Sequence, residues 1–137
     1  MTREDLVKKI EEVYKAQNYS EVLFLCLDLT TEERTSYIAW MQGVAGVNLG
    51  DFGLAGRMFE EALKLPHEGG NLSLCYIGLV YVQDMSGYHD LAIKTLQEGK
   101  NKFPDLLNHF DEVYNVVGIY AKPEYKEVFR KMCELGA

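Results

Sequence analysis

The stretch AWMQGVAGVNLGDFGLAGRMFEEALKLP, Ala39–Pro66, decides how this chain is read. Trp40, Met41, Val44 and Val47 recur at helical spacing before Gly50-Asp51, and Leu54, Ala55, Met58, Phe59, Ala62 and Leu63 recur after it. Gly50 can adopt the left-handed C-cap that other residues resist, and the Asp51 carboxylate can cap the helix that follows. Small residues stand where two antiparallel helices would touch: Gly43 and Gly46 on the first, Ala55 and Ala62 on the second. The stretch predicts one helix-turn-helix hairpin.

The same reading extends in both directions. Upstream, Thr2 and Asp5 form a capping box for a helix over about Arg3–Ala16 carrying Leu6, Val7, Ile10, Val13 and Tyr14. Ser20 is the expected N-cap of a second helix with Val22, Leu23, Cys26, Leu27 and Leu29, and Thr30-Thr31-Glu32-Glu33 is the expected start of a third that continues through Asn48. Downstream, Asn71 can cap a helix to about Gln83 that is apolar nearly all the way round, Ser86-Gly87-Tyr88 turns the chain, and Pro104 ends a sixth helix. Leu106, Leu107, Phe110, Val113, Tyr114 and Val117 predict another helix. Pro123 then opens a last one with Tyr125, Val128, Phe129 and Met132. No alternating pattern or hairpin turn predicts a strand.

Composition sets limits on function. At 137 residues, 47% of them hydrophobic and 26% charged, the chain is expected to fold as one soluble domain. A net charge of −7 leaves no broad basic surface for phosphates, so nucleic acid is not expected as a partner. There is no signal-peptide core and no run of membrane-spanning length, which predicts a cytoplasmic protein without membrane insertion. Cys26, Cys75 and Cys133 are odd in number and far apart, which suits buried small side chains better than a disulfide framework or a zinc site.

The spacings reveal a repeat. Gly43 to Gly78 is 35 residues, Ala55 to Ala92 is 37 and Pro66 to Pro104 is 38, while Val22, Cys26 and Leu29 occupy the places of Ala55, Phe59 and Ala62. With Gly43, the Gly50-Asp51-Phe52 turn, and Ala55, Phe59 and Ala62, the middle hairpin resembles the tetratricopeptide repeat family. Gly78, Tyr81, Tyr88, Ala92, Leu96 and Pro104 repeat the pattern. The resemblance implies an all-α, right-handed superhelix of antiparallel helix-turn-helix hairpins at about residues 3–30, 32–66 and 71–104, with C-terminal capping helices over about 105–135. Two departures stand out. Gln42 falls where the family usually has an apolar residue, and Gly78 to Ala92 is 14 residues where Gly43 to Ala55 is 12, which predicts a third turn two residues longer, as in Sel1-like repeats.

In that family the first helix of each hairpin lines a concave face that holds an extended peptide or a helix. Carried over, the groove would present Val7, Glu11 and Tyr14; Tyr37, Trp40, Met41, Val44 and Val47; and Cys75, Tyr76, Leu79 and Val82. The family's carboxylate clamp for chaperone tails is excluded, since its places hold Val7, Glu11, Met41, Leu72 and Tyr76. Trp40, Tyr37 and Tyr76 are the expected anchors. Catalysis has no support in the sequence: His67, His89 and His109 are isolated, and the paired glutamates point about 100° apart on a helix. No cofactor or metal is expected. The expected function is a protein-interaction scaffold or chaperone-like adaptor that binds a peptide or amphipathic helix on an apolar groove. The alternative is a self-assembling module whose apolar face is closed by a homodimer or by its own C-terminal helix.

Overall fold

A computed structural model describes residues 2–65, 72–106 and 131, and the chain divides into two compact units, Met1–Gly70 and Asn71–Ala137. The first unit holds α1 (Arg3–Lys15), α2 (Tyr19–Cys26), a short 3-10 turn (Thr31–Glu33), α3 (Ser36–Asn48) and α4 (Phe52–Lys64). The second holds α5 (Leu72–Met85) and α6 (His89–Lys102). Among the described residues the chain is all-helical, and no helix is long and apolar enough to cross a membrane. The expected break at Pro66, the Asn71 cap, and the helices after residue 106 lie outside the described residues.

Helices adjacent in sequence pack together: α1 on α2, α2 on α3 and α3 on α4 in the first unit, and α5 on α6 in the second. The N-terminal capping box forms, with the Asp5 N–H donating to Thr2 Oγ1 (3.1 Å) and the Thr2 N–H donating to Asp5 Oδ2 (3.3 Å). The close crossing expected for α3 and α4 is also present. A Cβ added to Gly43 would stand 2.5 Å from the Phe59 ring, and one on Gly46 would stand 3.0 Å from the Ala55 backbone nitrogen.

Three connections share one backbone form. Gln17, Gly50 and Gly87 have φ of 61°, 77° and 89°. The N–H groups of the residues that follow, Asn18, Asp51 and Tyr88, donate back to the carbonyls of Val13, Gly46 and Gln83 at 2.9, 2.8 and 2.9 Å. With the Gln17, Gly50 and Gly87 N–H groups bonded to Tyr14, Val47 and Asp84, each is a Schellman cap that closes one helix. The carbonyls of Asn18, Asp51 and Tyr88 then accept the first bonds of the next helices, from Val22, Ala55 and Ala92. One residue thus ends a turn and starts a helix.

Four expectations are corrected. The third turn is no longer than the second, because α3 to α4 and α5 to α6 are joined by equivalent segments, Leu49–Asp51 and Ser86–Tyr88. Gly50 to Gly87 is 37 residues, so the place of Gly43 is taken in α5 by Val80 and not by Gly78. The N-cap of α2 is Asn18, whose side chain accepts from the Glu21 N–H, and not Ser20. The signal at Thr30–Glu33 makes only a 3-10 turn, with Glu33 Oε1 accepting from the Thr30 N–H at 2.9 Å. Arg34 is then extended, and α3 starts separately under Thr35, whose hydroxyl accepts from the Ile38 N–H.

The extended Arg34 explains the polar residue at position 42. Its guanidinium donates to Gln42 Oε1 on α3 at 2.5 Å and to Glu61 Oε1 on α4 at 2.6 Å. Gln42 is buried, and this bond satisfies an acceptor that would otherwise be costly there.

Candidate functional site

Val7, Glu11 and Tyr14 follow one another at four- and three-residue steps, which aligns them on one face of α1. α1 reaches α3 directly, and there the side chains of the two helices meet in an aromatic cluster. The Tyr14 and Trp40 ring centroids are 5.7 Å apart at 57°, and Tyr37 stacks on Trp40 at 6.3 Å and 17°. Tyr19, at the start of α2, meets Tyr14 edge-on at 6.4 Å. The Glu11 carboxylate of α1 stands near enough to the Tyr37 hydroxyl of α3 to hold its proton on.

Burial dominates the electrostatics here. It pushes the Tyr14 hydroxyl well above the usual phenol range, with the neighbouring Tyr19 and Tyr37 phenols adding to the effect. Tyr37 is raised by burial first and by Glu11 second. The Tyr14 hydroxyl and the Trp40 Nε1–H are both buried and make no hydrogen bond among the described residues. Trp40 is 7% exposed, so two rings in contact each carry one orphaned polar group. Leaving such a group unpaired costs about 1–3 kcal/mol, which makes the pair the feature of this unit most in need of a partner.

The other expected groove residues take different places. Met41 and Val44 are fully buried, and Val47, Cys75, Tyr76, Leu79 and Val82 are each at most 8% exposed. Val7, Glu11, Tyr14 and Tyr37 remain half-buried. In the second unit, Tyr76 packs inside its own hairpin: a Cβ on Gly99 would lie 3.0 Å from its Cγ, Phe103 is 6.1 Å away, and Lys102 Nζ is 5.9 Å from the ring centre. The register correction accounts for this. A shift of two positions turns a helical side chain by about 200°, so the places in α5 that match Trp40, Val44 and Val47 belong to Ile77, Tyr81 and Asp84.

Among the described residues no three His, Cys, Asp or Glu side chains gather as they would around a metal ion. Cys26 and Cys75 are free and buried, and burial pushes their thiols up to about 11 and about 12, away from the reactive thiolate. His89 is exposed and shares a 2.7 Å hydrogen bond with Asp84 across the third turn; His67 and His109 lie outside the described residues. Two residues that shape this region escaped the sequence reading, Tyr19 and Arg34. The anomalous Gln42 was the available signal for Arg34, since a buried amide demands a partner.

Among the described residues the chain is all-helical, with helices adjacent in sequence packed on one another and an aromatic cluster where α1 meets α3. The chain matches no known family model, no characterised protein and no solved structure.

Proposed function

We propose that the chain is a tetratricopeptide-like interaction module that holds a peptide or short helix against the α1–α3 face, and that it acts by binding alone. The observation that carries this reading is the pair of orphaned donors, Trp40 Nε1–H and Tyr14 O–H, carried on two aromatic rings in contact. Carbonyl oxygens of an incoming backbone can accept from these donors, while the rings supply apolar contact of the kind that dominates interface energetics. Tyr37 and Glu11 form the rim. The Tyr37 ring, stacked on Trp40, adds apolar contact to the bound segment, and Glu11 accepts from one of its N–H groups. The three matching Schellman turns support the family reading, because a repeated unit should repeat its connection as well as its core.

The alternative, a face closed by the chain itself, draws support from the burial of Met41, Val44, Val47, Leu79 and Val82. Under that reading Trp40 and Tyr14 are simply costly core residues.

Titration separates the two. Peptides selected from a displayed library against the full chain are measured on wild type, Trp40→Phe and Tyr14→Phe, with folding checked by circular dichroism. Loss of one hydrogen bond of about 0.5–1.5 kcal/mol predicts two- to tenfold weaker binding in each variant. Selected peptides that bind all three proteins equally count against the proposed face.

A further inference from the structure

The outer side of α2 carries a second, independent surface. Its inner side chains Val22, Leu25 and Cys26 are buried, and Leu29 is buried just beyond the helix. Phe24 and Leu27, by contrast, are 63% and 78% exposed. They lie three residues apart, one above the other along the helix. The chain keeps a tight helical turn past Cys26, with the N–H groups of Leu27, Asp28 and Leu29 bonded to the carbonyls of Phe24, Leu25 and Cys26. The result is a short apolar bar that faces solvent.

The charges that neighbour it along the chain have one sign. No lysine or arginine occurs between Lys15 and Arg34, a span that holds Glu21, Asp28, Glu32 and Glu33. Glu21 and Asp28 stand one turn before and one turn after Phe24 at helical spacing, flanking the bar at both ends. The two nearest arginines are turned elsewhere: Arg34 bonds Glu61 and Gln42, and the Arg3 guanidinium donates to the Glu33 carbonyl at 3.0 Å.

We infer that this face docks a basic amphipathic helix of another protein. Two anchors a single turn apart match the apolar stripe of a helix, and the acidic flanks select lysine or arginine beside that stripe. A second copy of this chain fits poorly. A two-fold symmetric contact sets the same patch against itself, and aligning α2 along a second α2 places Glu21 and Asp28 against other carboxylates. The inference does not involve Tyr14 or Trp40.

The test uses the full chain and two fluorescein-labelled amphipathic peptides with the same leucine stripe, one flanked by lysine and arginine and its twin flanked by glutamate. By anisotropy the basic peptide should bind and the glutamate twin should not. The double variant Phe24→Ser/Leu27→Ser should weaken the basic peptide at least about tenfold, as expected when paired anchors are removed, while Trp40→Phe leaves it unchanged. Glu21→Lys/Asp28→Lys, which keeps both anchors, should move the preference toward the glutamate twin. All these positions but Trp40 are at the surface, and melting curves establish that each variant is folded. Equal binding of the two peptides, or wild-type affinity in the folded serine variant, overturns the inference. A wild-type dimer in light scattering that the serine variant abolishes would overturn it in favour of self-association.

Discussion

Gln17 is the residue at which the three turns differ most in chemistry. It holds φ at 61°, where Gly50 and Gly87 hold 77° and 89°, and a side chain in that left-handed region costs roughly 1–2 kcal/mol. Gln17→Gly is therefore expected to stabilise the protein by about 0.5–1 kcal/mol in urea unfolding, after the entropy that glycine gains in the unfolded chain is offset. Gly50→Ala, with open space around it but the same backbone, should cost about 1 kcal/mol. Tyr14 makes the opposite kind of statement. Removing an unpaired buried hydroxyl with Tyr14→Phe should leave stability unchanged or raise it by up to about 2 kcal/mol, even as it weakens peptide binding. A marked loss of stability would mean that the hydroxyl has a partner in the free protein.

At the scale of elements, the hairpin is held by a polar staple as well as by packing. Arg34→Met removes the donor to Gln42 and Glu61 and is expected to cost about 1–3 kcal/mol, mostly through the stranded Gln42 amide. Adding Gln42→Leu should recover part of that loss, a non-additivity that a double-mutant cycle measures directly. Turn chemistry was the legible part of the fold. Gly50-Asp51 and Thr2-Asp5 are local devices whose bonds depend on neighbours in sequence, and both form as read. Register in the third hairpin was less legible, because glycine was matched to glycine while the core trades volume between helices. Corresponding buried places hold Ile10 with Cys26, Gly43 with Phe59, and Val80 with Leu96; a second set holds Leu6 with Leu29, Ala39 with Ala62, and Tyr76 with Gly99. At Gly43 with Phe59 and at Tyr76 with Gly99 a large side chain on one helix fills the space that a glycine leaves on the other, whereas Ala39 and Ala62 are both small. No single-position match can see that exchange, and it is why Tyr76 read as a groove anchor although it fills the space left by Gly99. Of the candidate site, the alignment of Val7, Glu11 and Tyr14 on one face of α1 was legible because helical spacing is a local property. The orphaned donors and the Arg34 staple depend on contacts between distant residues.

For the molecule as a whole, burial of neutral acids sets an alkaline limit. Cys26 and Cys75 hold their protons to about 11 and about 12 when folded, against an ordinary 9.0, and Tyr14 is raised above its ordinary 10.0. The folded state thus binds these protons more tightly than the unfolded state, so their contribution is full below pH 9.0 and drains away as pH rises through the folded values. Melting temperature should fall progressively above about pH 9, and scans across that range check it. The central claim, that the α1–α3 face receives a backbone acceptor at Trp40 and Tyr14, has a direct spectroscopic reporter. The chain contains one tryptophan, so its indole N–H gives a single resonance in a 1H–15N correlation spectrum. Titration of a selected peptide should move that resonance downfield as the unpaired Nε1–H gains a hydrogen bond, with a loss of the shift in parallel to affinity in Tyr37→Ala. A peptide that saturates the protein while the indole resonance stays where it was would contradict the account.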